Sequence, residues 1–480
     1  MRFDRLFEGI AYACQCGTAL PTPDAEIIGV VTDAKEAAAD KLFLCTRTAL
    51  HNHHFDADAA YAAGCRFFAA ERGLALPSDA TVLILPDTCE VAGELAARCL
   101  AHPARELTVF GITGGVGKSA LAHILCALLR RGGMRAASIT TDGVDLNGGV
   151  TPHGSILPDA VALQALLRHL RDEGVEIVIL ELSQYQLAMK VHKGIDFTVL
   201  LHTGNKPRAV DPAVKHPTVA DHDTLFLESA AISVAPVGTR LPPCGKRIFT
   251  GEGGQIFVSD AVESWGEQGF FTQFKLHISG GEVLSAALPL PCEWAVQQAP
   301  LAVAAALAVG MSPAEIAAHL TACHARGRME CIGSLRGRLV FTDVAYTPRA
   351  VAEALRLLRA RTRGKLTVLL GSVGGRAVAR RAPLGQAAEQ GAELVYLTAD
   401  DPDTEPVGEI CREMAAGFCD PSRYVIVPDR RAAILRAVRE LRPGDTLLLC
   451  GKGGEERQLL GGKYLPFSEK EIVLEAMTHL

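Results

Sequence analysis

Short runs of aliphatic residues alternate along this chain with longer stretches whose apolar positions recur every three or four residues. Over the first hundred residues IIGVVTD, KLFLCT, CRFFAAE and ATVLILP read as strands separated by Ala-rich helical text. After a polar, Pro-containing joint at 102–106 (AHPARE), the run LTVFGIT leads into a glycine loop and then into SALAHILCALLRRGG. That segment has helical spacing, basic residues in its last turn and Gly132-Gly133 as a stop. A second helix, AVALQALLRHLRDEG, precedes the buried run VEIVILELS, so strand, helix and strand predict a parallel sheet with right-handed crossovers. Residues 240–290 alternate more strictly and carry more glycine, which predicts hairpins. LAVAAALAVGM and SPAEIAAHLTAC predict two helices, the second N-capped by Ser312. From 326 the strand text RLVFTDV, LTVLLGS, ELVYLTAD, YVIVPD and TLLLCGKG alternates with helices, the pattern of a doubly wound α/β domain. The expectation is an α/β chain of three domains, 1–105, 106–325 and 326–480, without internal repeats.

Composition narrows the function. A net charge of −6 gives no basic field for nucleic acid. No apolar run reaches the roughly 20 residues that span a bilayer, and the start, MRFDRLFEGIAYAC, does not read as a signal peptide. The reading is a cytoplasmic protein with no membrane insertion. Its fourteen cysteines are scattered in apolar text and read as buried free thiols. Cys14 and Cys16 form the one close pair, with no second pair to complete a zinc set. The histidines of HNHH, 51–54, read as a structural loop, because imidazoles without a carboxylate or thiol beside them specify little metal.

The stretch GITGGVGKSALA, 111–122, carries the most chemistry. A strand ending in Thr113, then Gly114, Gly115, Val116, Gly117, Lys118 and Ser119, then a helix, is the context of a phosphate-binding loop. Glycines let backbone N–H groups approach phosphate oxygens, Lys118 can neutralise the terminal phosphates, and the Ser119 hydroxyl can ligate Mg²⁺. The spacing departs from a standard P-loop, because Ile112 stands where the first glycine belongs.

Written as G-x-T-G-x-x-G-K-S, with a small domain before it and a Rossmann-like domain after it, the loop resembles that of the Mur ligase family. Other stretches resemble family motifs in the same order: VVTDAK (30–35), ILELSQYQLA (179–188), GRME (327–330), DVAYTP (343–348), TADDPDTE (398–405), GKGGEE (451–456) and the closing YLPFSEKEIVLEAM. The likeness covers nearly the whole chain and points to the MurE-type branch, which adds the third amino acid of the peptidoglycan stem. It implies an ATP-dependent, Mg²⁺-requiring ligase. Such an enzyme turns the carboxylate of a UDP-N-acetylmuramoyl peptide into an acyl phosphate, which the amine of a free amino acid then attacks.

The resemblance also implies residue roles. Lys118 and Glu181 would act at the phosphates, Glu181 holding Mg²⁺ with Ser119 and Asp211. His222 falls at the position of the family's carbamylated lysine. Gln298, Arg328 and Asp343 would contact the nucleotide. Arg376 would clamp the amino acid's carboxylate, and Asp400, Asp401, Asp403, Gly451 and Glu455 would meet its far end. Asp403 stands where diaminopimelate-adding relatives have an arginine, so the resemblance implies a lysine-like amino acid with a cationic end. Several ligand-touching positions depart from the family: Ala295 replaces an asparagine, Tyr185 and Tyr346 replace histidines, and Asp33-Ala34-Lys35 replaces Asp-Ser-Arg. Three readings stay open: a ligase, whether on the family's donor and acceptor or on different ones; a scaffold that keeps the fold, pairing with cell-wall enzymes; and a simple ATPase or kinase built on the loop alone.

Overall fold

The computed structural model describes residues 1–15, 22–48, 51–151, 158–204, 230–239, 241 and 245–480. They fall into two compact units, the first mainly from Met1–Lys118 and Leu129–Lys206 with Pro217–Phe249, the second mainly from Thr250–Leu480 with Ser119–Leu128.

The first unit holds two sheets. Strands β1 (Ala13–Cys14), β2 (Gly29–Val31), β3 (Lys41–Leu44), β4 (Phe67–Ala70) and β5 (Thr81–Ile84) form one in the order β1-β5-β4-β3-β2. The pairs β2–β3, β3–β4 and β4–β5 are parallel, as the four strand-like runs predict, and β1 is an antiparallel edge. The helix Thr88–Cys99, capped by Asp87, packs Ala92, Leu95 and Ala96 on the same core as Leu42 and Leu83.

The second sheet contains β6 (Thr108–Thr113), β7 (Ala136–Thr140), β8 (Gly143–Leu146), β9 (Gly149–Thr151), β10 (Ile177–Glu181), β11 (Phe197–His202) and β12 (Ala230–Pro236). Their order is β12-β11-β6-β10-β7-β8-β9, parallel from β12 to β7, with β8 and β9 turned back as an antiparallel edge. The glycine-loop strand β6 is central, flanked by β10 and β11, so Thr113, Glu181 and His202 emerge at one end of three neighbouring strands. The helix after the loop runs Lys118–Arg131 and stops before Gly132-Gly133, as read from its sequence. The two sheets are tied together by side chains. Thr32 Oγ1 lies 3.0 Å from Asp159 Oδ2, while Asp159 Oδ1 caps the helix Ala160–Asp172. Lys190 reaches Asp87 at 2.7 Å and Glu90 at 2.6 Å.

After β13 (Lys246–Thr250), the second unit begins with the antiparallel meander β14 (Ile256–Gly266), β15 (Gly269–Ile278) and β16 (Glu282–Leu288), the hairpins expected for 240–290. The helices Cys292–Ala308 and Pro313–Leu320 follow. Ser312 caps the second, and Glu315 reaches back to its backbone N–H at 2.9 Å. The closing sheet runs β17-β18-β22-β19-β20-β21, formed by β17 (Glu330–Leu335), β18 (Arg338–Asp343), β19 (Leu366–Leu370), β20 (Leu394–Leu397), β21 (Tyr424–Ile426) and β22 (Thr446–Cys450). All of its pairs are parallel except β17–β18.

Alternation along these strands sends side chains to two separate cores. Leu339, Phe341, Val368, Leu370, Leu448 and Cys450 pack with the helices Pro348–Arg359, Arg381–Gly391 and Val407–Ala415. Val340, Leu369, Leu447 and Leu449 pack with Arg430–Glu440 and Glu469–Met477. That is the doubly wound arrangement predicted by apolar strand runs alternating with helices.

Twelve free cysteines are described; six are buried, five half-buried, and Cys419 is exposed, so the expectation of uniformly buried thiols is corrected. Cys16 lies outside the described residues. The reading of HNHH is corrected too: a carboxylate is beside it, Asp56 Oδ2 lying 2.5 Å from His51 Nε2, because the turn His53–Asp56 folds back on the loop.

Among the described residues the most completely buried ion pair is Arg430 with Glu469, both almost wholly inaccessible, at 2.7 Å. Arg430 also donates to Ala399 O and Cys450 O at 2.8 Å, and Glu469 accepts from Thr342 Oγ1 at 2.8 Å. The pair therefore fastens the ends of β18 and β22 and the segment after β20. Arg430→Met would leave Glu469 charged and unpaired, so urea unfolding should show a loss of about 3–5 kcal/mol.

Candidate active site

The glycine loop is built by close backbone approach. Gly114 has φ +107°, and a Cβ there would stand 2.8 Å from both the backbone N and the Oγ1 of Thr203 and 3.3 Å from His202 Cε1. Thr203 N donates to Thr113 O at 3.0 Å, and Gly115 N donates to Gly204 O at 3.1 Å. The chain after β11 thus grips the loop along its flank. His202 is buried, and its Nδ1 accepts from Gly204 N at 3.0 Å, which fixes the segment doing the gripping. The sequence reading missed His202; its only sequence signal is a polar residue closing an otherwise aliphatic strand.

Lys118 is 6% exposed and opens the helix Lys118–Arg131. Its Nζ donates to Gly114 O at 3.2 Å and Gly115 O at 2.8 Å, so the ammonium is curled under the loop whose amides it accompanies. Val116 projects into solvent, Gly117 has φ +96°, and Ser119 follows Lys118 in the helix. Glu181, 3% exposed, ends β10 opposite Ile112, and its Oε2 accepts from Thr141 N at 3.4 Å. A loop that excludes a Cβ, a buried ammonium at its base and a buried carboxylate on the adjacent strand end are the donor set that a magnesium nucleotide requires. Asp211 and His222 lie outside the described residues.

In the second unit the expected nucleotide contacts are placed as follows. Gln298 is buried in Cys292–Ala308, and its Oε1 accepts no hydrogen bond among the described residues. Arg328 is buried, with Nη1 donating to Gly327 O at 3.2 Å. Asp343 ends β18, and its carboxylate accepts from Met329 N at 2.7 Å and Ala345 N at 2.8 Å, so it shapes the GRME turn.

The expected amino-acid residues separate. Asp400, Asp401 and Glu455 converge on Lys452 Nζ, at 3.7, 2.8 and 3.4 Å, and Gly451 lies so close to Asp400 that a Cβ would stand 2.8 Å from Oδ2. Lys452 is fully buried and was not singled out in the sequence, although it sits inside GKGGEE. Burial alone would depress its ammonium, but Asp400, Glu455 and Asp401 outweigh this and hold its pKa above the ordinary value. Burial pushes the Asp400 carboxyl upward. Asp403 has φ +53°, and its Oδ1 accepts from Gly462 N at 2.7 Å, holding the loop to a hairpin turn. Arg376 is exposed and makes no ion pair among the described residues. Arg381, fully buried and paired with Glu405 at 2.5 Å and Glu413 at 2.8 Å, ties down the loop that carries Asp400 to Glu405.

Two stretches match family models: residues 112–204 the Mur ligase middle domain, and residues 327–453 the Mur ligase glutamate ligase domain. The chain is 32% identical over 466 residues to the UDP-N-acetylmuramyl-tripeptide synthetase of Deinococcus radiodurans, covering 94% of each. It belongs to the Mur ligase family. It is also 30% identical over 421 residues to the UDP-N-acetylmuramoyl-L-alanyl-D-glutamate–2,6-diaminopimelate ligase of Corynebacterium glutamicum, covering 83% of this chain and 80% of that one. A solved structure of a ligase with the same name aligns over 100% of this chain and 99% of its own, with a TM-score of 0.67 at 23% identity, a likeness of fold. Relatives named as ligases thus surround a Mur-family chain whose loop and strand ends carry the family's pattern.

Two outcomes follow. Gly114→Ala should abolish binding of a fluorescent ATP analogue while leaving the far-ultraviolet circular dichroism unchanged, because Thr203 occupies the space the methyl group needs. The second concerns acid stability. The Arg381 guanidinium, with Gly375 N, holds the Glu405 carboxyl down to about 2, against an ordinary value of 4.5. A carboxyl depressed on folding contributes fully above pH 4.5, and the contribution fades as pH falls towards 2. Urea midpoints of Glu405→Gln should therefore lie below those of the unsubstituted protein at neutral pH and converge with them in acid.

Proposed function

We propose that this chain is an ATP-dependent ligase that joins an amino acid to the carboxylate of a UDP-N-acetylmuramoyl peptide, a step of peptidoglycan precursor synthesis in the cytoplasm. The observation that carries the reading is the glycine loop gripped by 203–204, with Lys118 beneath it and Glu181 on the next strand. The family models match residues 112–204 and 327–453, and the relatives named above are named as synthetases or ligases of such peptides.

In this reading the loop amides and Lys118 hold the terminal phosphates of ATP, and Glu181 and Ser119 hold Mg²⁺, which supplies charge neutralisation when bound. The donor carboxylate attacks the γ-phosphorus and releases ADP. The amine of the incoming amino acid then attacks the acyl carbon, phosphate leaves, and the amine's proton passes to solvent or a base. The C-terminal sheet supplies the amino-acid site. Asp400, Asp401 and Glu455 bring three carboxylates against one lysine, Lys452, and this acidic excess favours an amino acid with a cationic far end over one ending in a carboxylate. The three domains of the sequence reading, 1–105, 106–325 and 326–480, remain the proposed division of these tasks.

A second reading, a nucleotide-binding scaffold, draws on Ala295 and Tyr346 standing at positions where the family carries ligand-touching side chains. One assay separates the readings: phosphate release from Mg-ATP with a UDP-muramoyl dipeptide and a panel including lysine, ornithine and diaminopimelate. The ligase reading expects release only when donor peptide and amino acid are both present, faster with lysine or ornithine, and roughly 10²–10³-fold slower in Lys118→Ala. Nucleotide binding without turnover on any pair would establish the scaffold, and release without an acceptor a simple ATPase.

A further inference from the structure

We infer that His51, His53 and Asp56 form a transition-metal site, suited to Zn²⁺, at the carboxyl end of the first sheet. One ligand atom from each of the three lies within 4.8 Å of the others. The loop bearing them follows β3, whose neighbours β2 and β4 run parallel to it, and the carboxyl ends of such strands are where open α/β sheets bind ligands.

The His53 ring is already set as a metal ligand's would be. Its Nδ1 lies 3.1 Å from Thr46 O and 2.9 Å from Thr46 Oγ1. A carbonyl can only accept, so Nδ1 carries the proton and Nε2 keeps its lone pair. A ligating histidine commonly hands its other N–H to a backbone carbonyl in this way. His54 serves as the internal contrast. Its Nε2 accepts from Glu71 N at 3.1 Å and its Nδ1 faces Asn52 Oδ1 at 2.8 Å, so both nitrogens are used within the protein.

The His51 and His53 rings meet edge to face with centroids 4.8 Å apart, and Asp56 Oδ2 is 2.5 Å from His51 Nε2. The backbone between them is fixed. His53 N donates to Thr46 O at 3.0 Å, Thr48 N to His51 O at 2.8 Å and His51 N to Thr48 Oγ1 at 2.9 Å, and Asn52 caps the turn His53–Asp56. Binding would therefore order little that is not ordered already. Two imidazoles and one carboxylate suit Zn²⁺ rather than Mg²⁺ or Ca²⁺, which take oxygen ligands. His51 and Asp56 keep 52% and 29% of their side-chain surface exposed. Solvent, or an oxygen of a bound molecule, can thus complete the fourth position.

The test uses the full chain without a histidine tag and needs no turnover, so it is independent of the ligase reading. Calorimetric titration with Zn²⁺ should give one ion per chain. Co²⁺ should give the intense visible absorption of a four-coordinate site. His51→Ala and His53→Ala should each weaken Zn²⁺ binding by ~100-fold or more. His51→Ala, at an exposed ring, should leave the melting temperature of the metal-free protein unchanged, which separates ligand loss from misfolding. If the unsubstituted protein binds no Zn²⁺, or if His51→Ala binds it as tightly, the cluster is only a hydrogen-bonded His–Asp pair and the inference is overturned.

Discussion

The nucleotide end of the molecule depends on a backbone-to-backbone approach that leaves no room for a side chain. Gly114 stands against Thr203, while Thr113 and Gly115 exchange main-chain hydrogen bonds with Thr203 and Gly204. Three parallel strand ends are brought together by this contact: β6 through Thr113, β11 through His202 and, by its pairing with β6, β10 through Glu181. A glycine turn held in this way ahead of a helix is the kind of backbone that suits an anion. The buried ammonium of Lys118, resting on the carbonyls of Gly114 and Gly115, keeps a positive charge beneath it.

The closing sheet solves a different problem, that of keeping charge inside a doubly wound domain. Arg430 and Glu469 neutralise each other and satisfy three further groups, Ala399 O, Cys450 O and Thr342 Oγ1. Lys452 is surrounded by Asp400, Asp401 and Glu455, and Arg381 by Glu405 and Glu413. Each cluster stands where a strand or helix hands over to the loops 398–405 and 451–456. The loops read as amino-acid-binding are therefore held by buried ion pairs, whose loss leaves an uncompensated charge. A change at Asp403 here is also a change to the hairpin turn that its carboxylate caps.

Much of this was legible in one dimension. Short apolar runs alternating with helical text marked the strands of the closing sheet and its doubly wound class. The stop at Gly132-Gly133 and the cap at Ser312 fell where the helices end and begin. The loop residues Gly114 to Ser119 were legible because phosphate binding needs glycines and a lysine at contiguous positions. What escaped notice were the residues that act from a distance along the chain. His202 is about ninety residues from the loop it braces, Lys452 draws partners from around position 400, and Arg381 pairs with Glu405 and Glu413.

The sequence by itself determined which segments are strands and helices, the family, and the glycine loop between strand and helix, because these rest on short-range periodicity and contiguous motifs. Only the tertiary structure decided which charges meet. Asp403, read as a substrate contact, also caps the turn at Gly462. The HNHH stretch was read as a plain loop and folds so that Asp56 faces His51. The reason is physical: propensity and capping act over a few residues, whereas pairing of buried charges and ligand atoms depends on distances that only the packed chain sets.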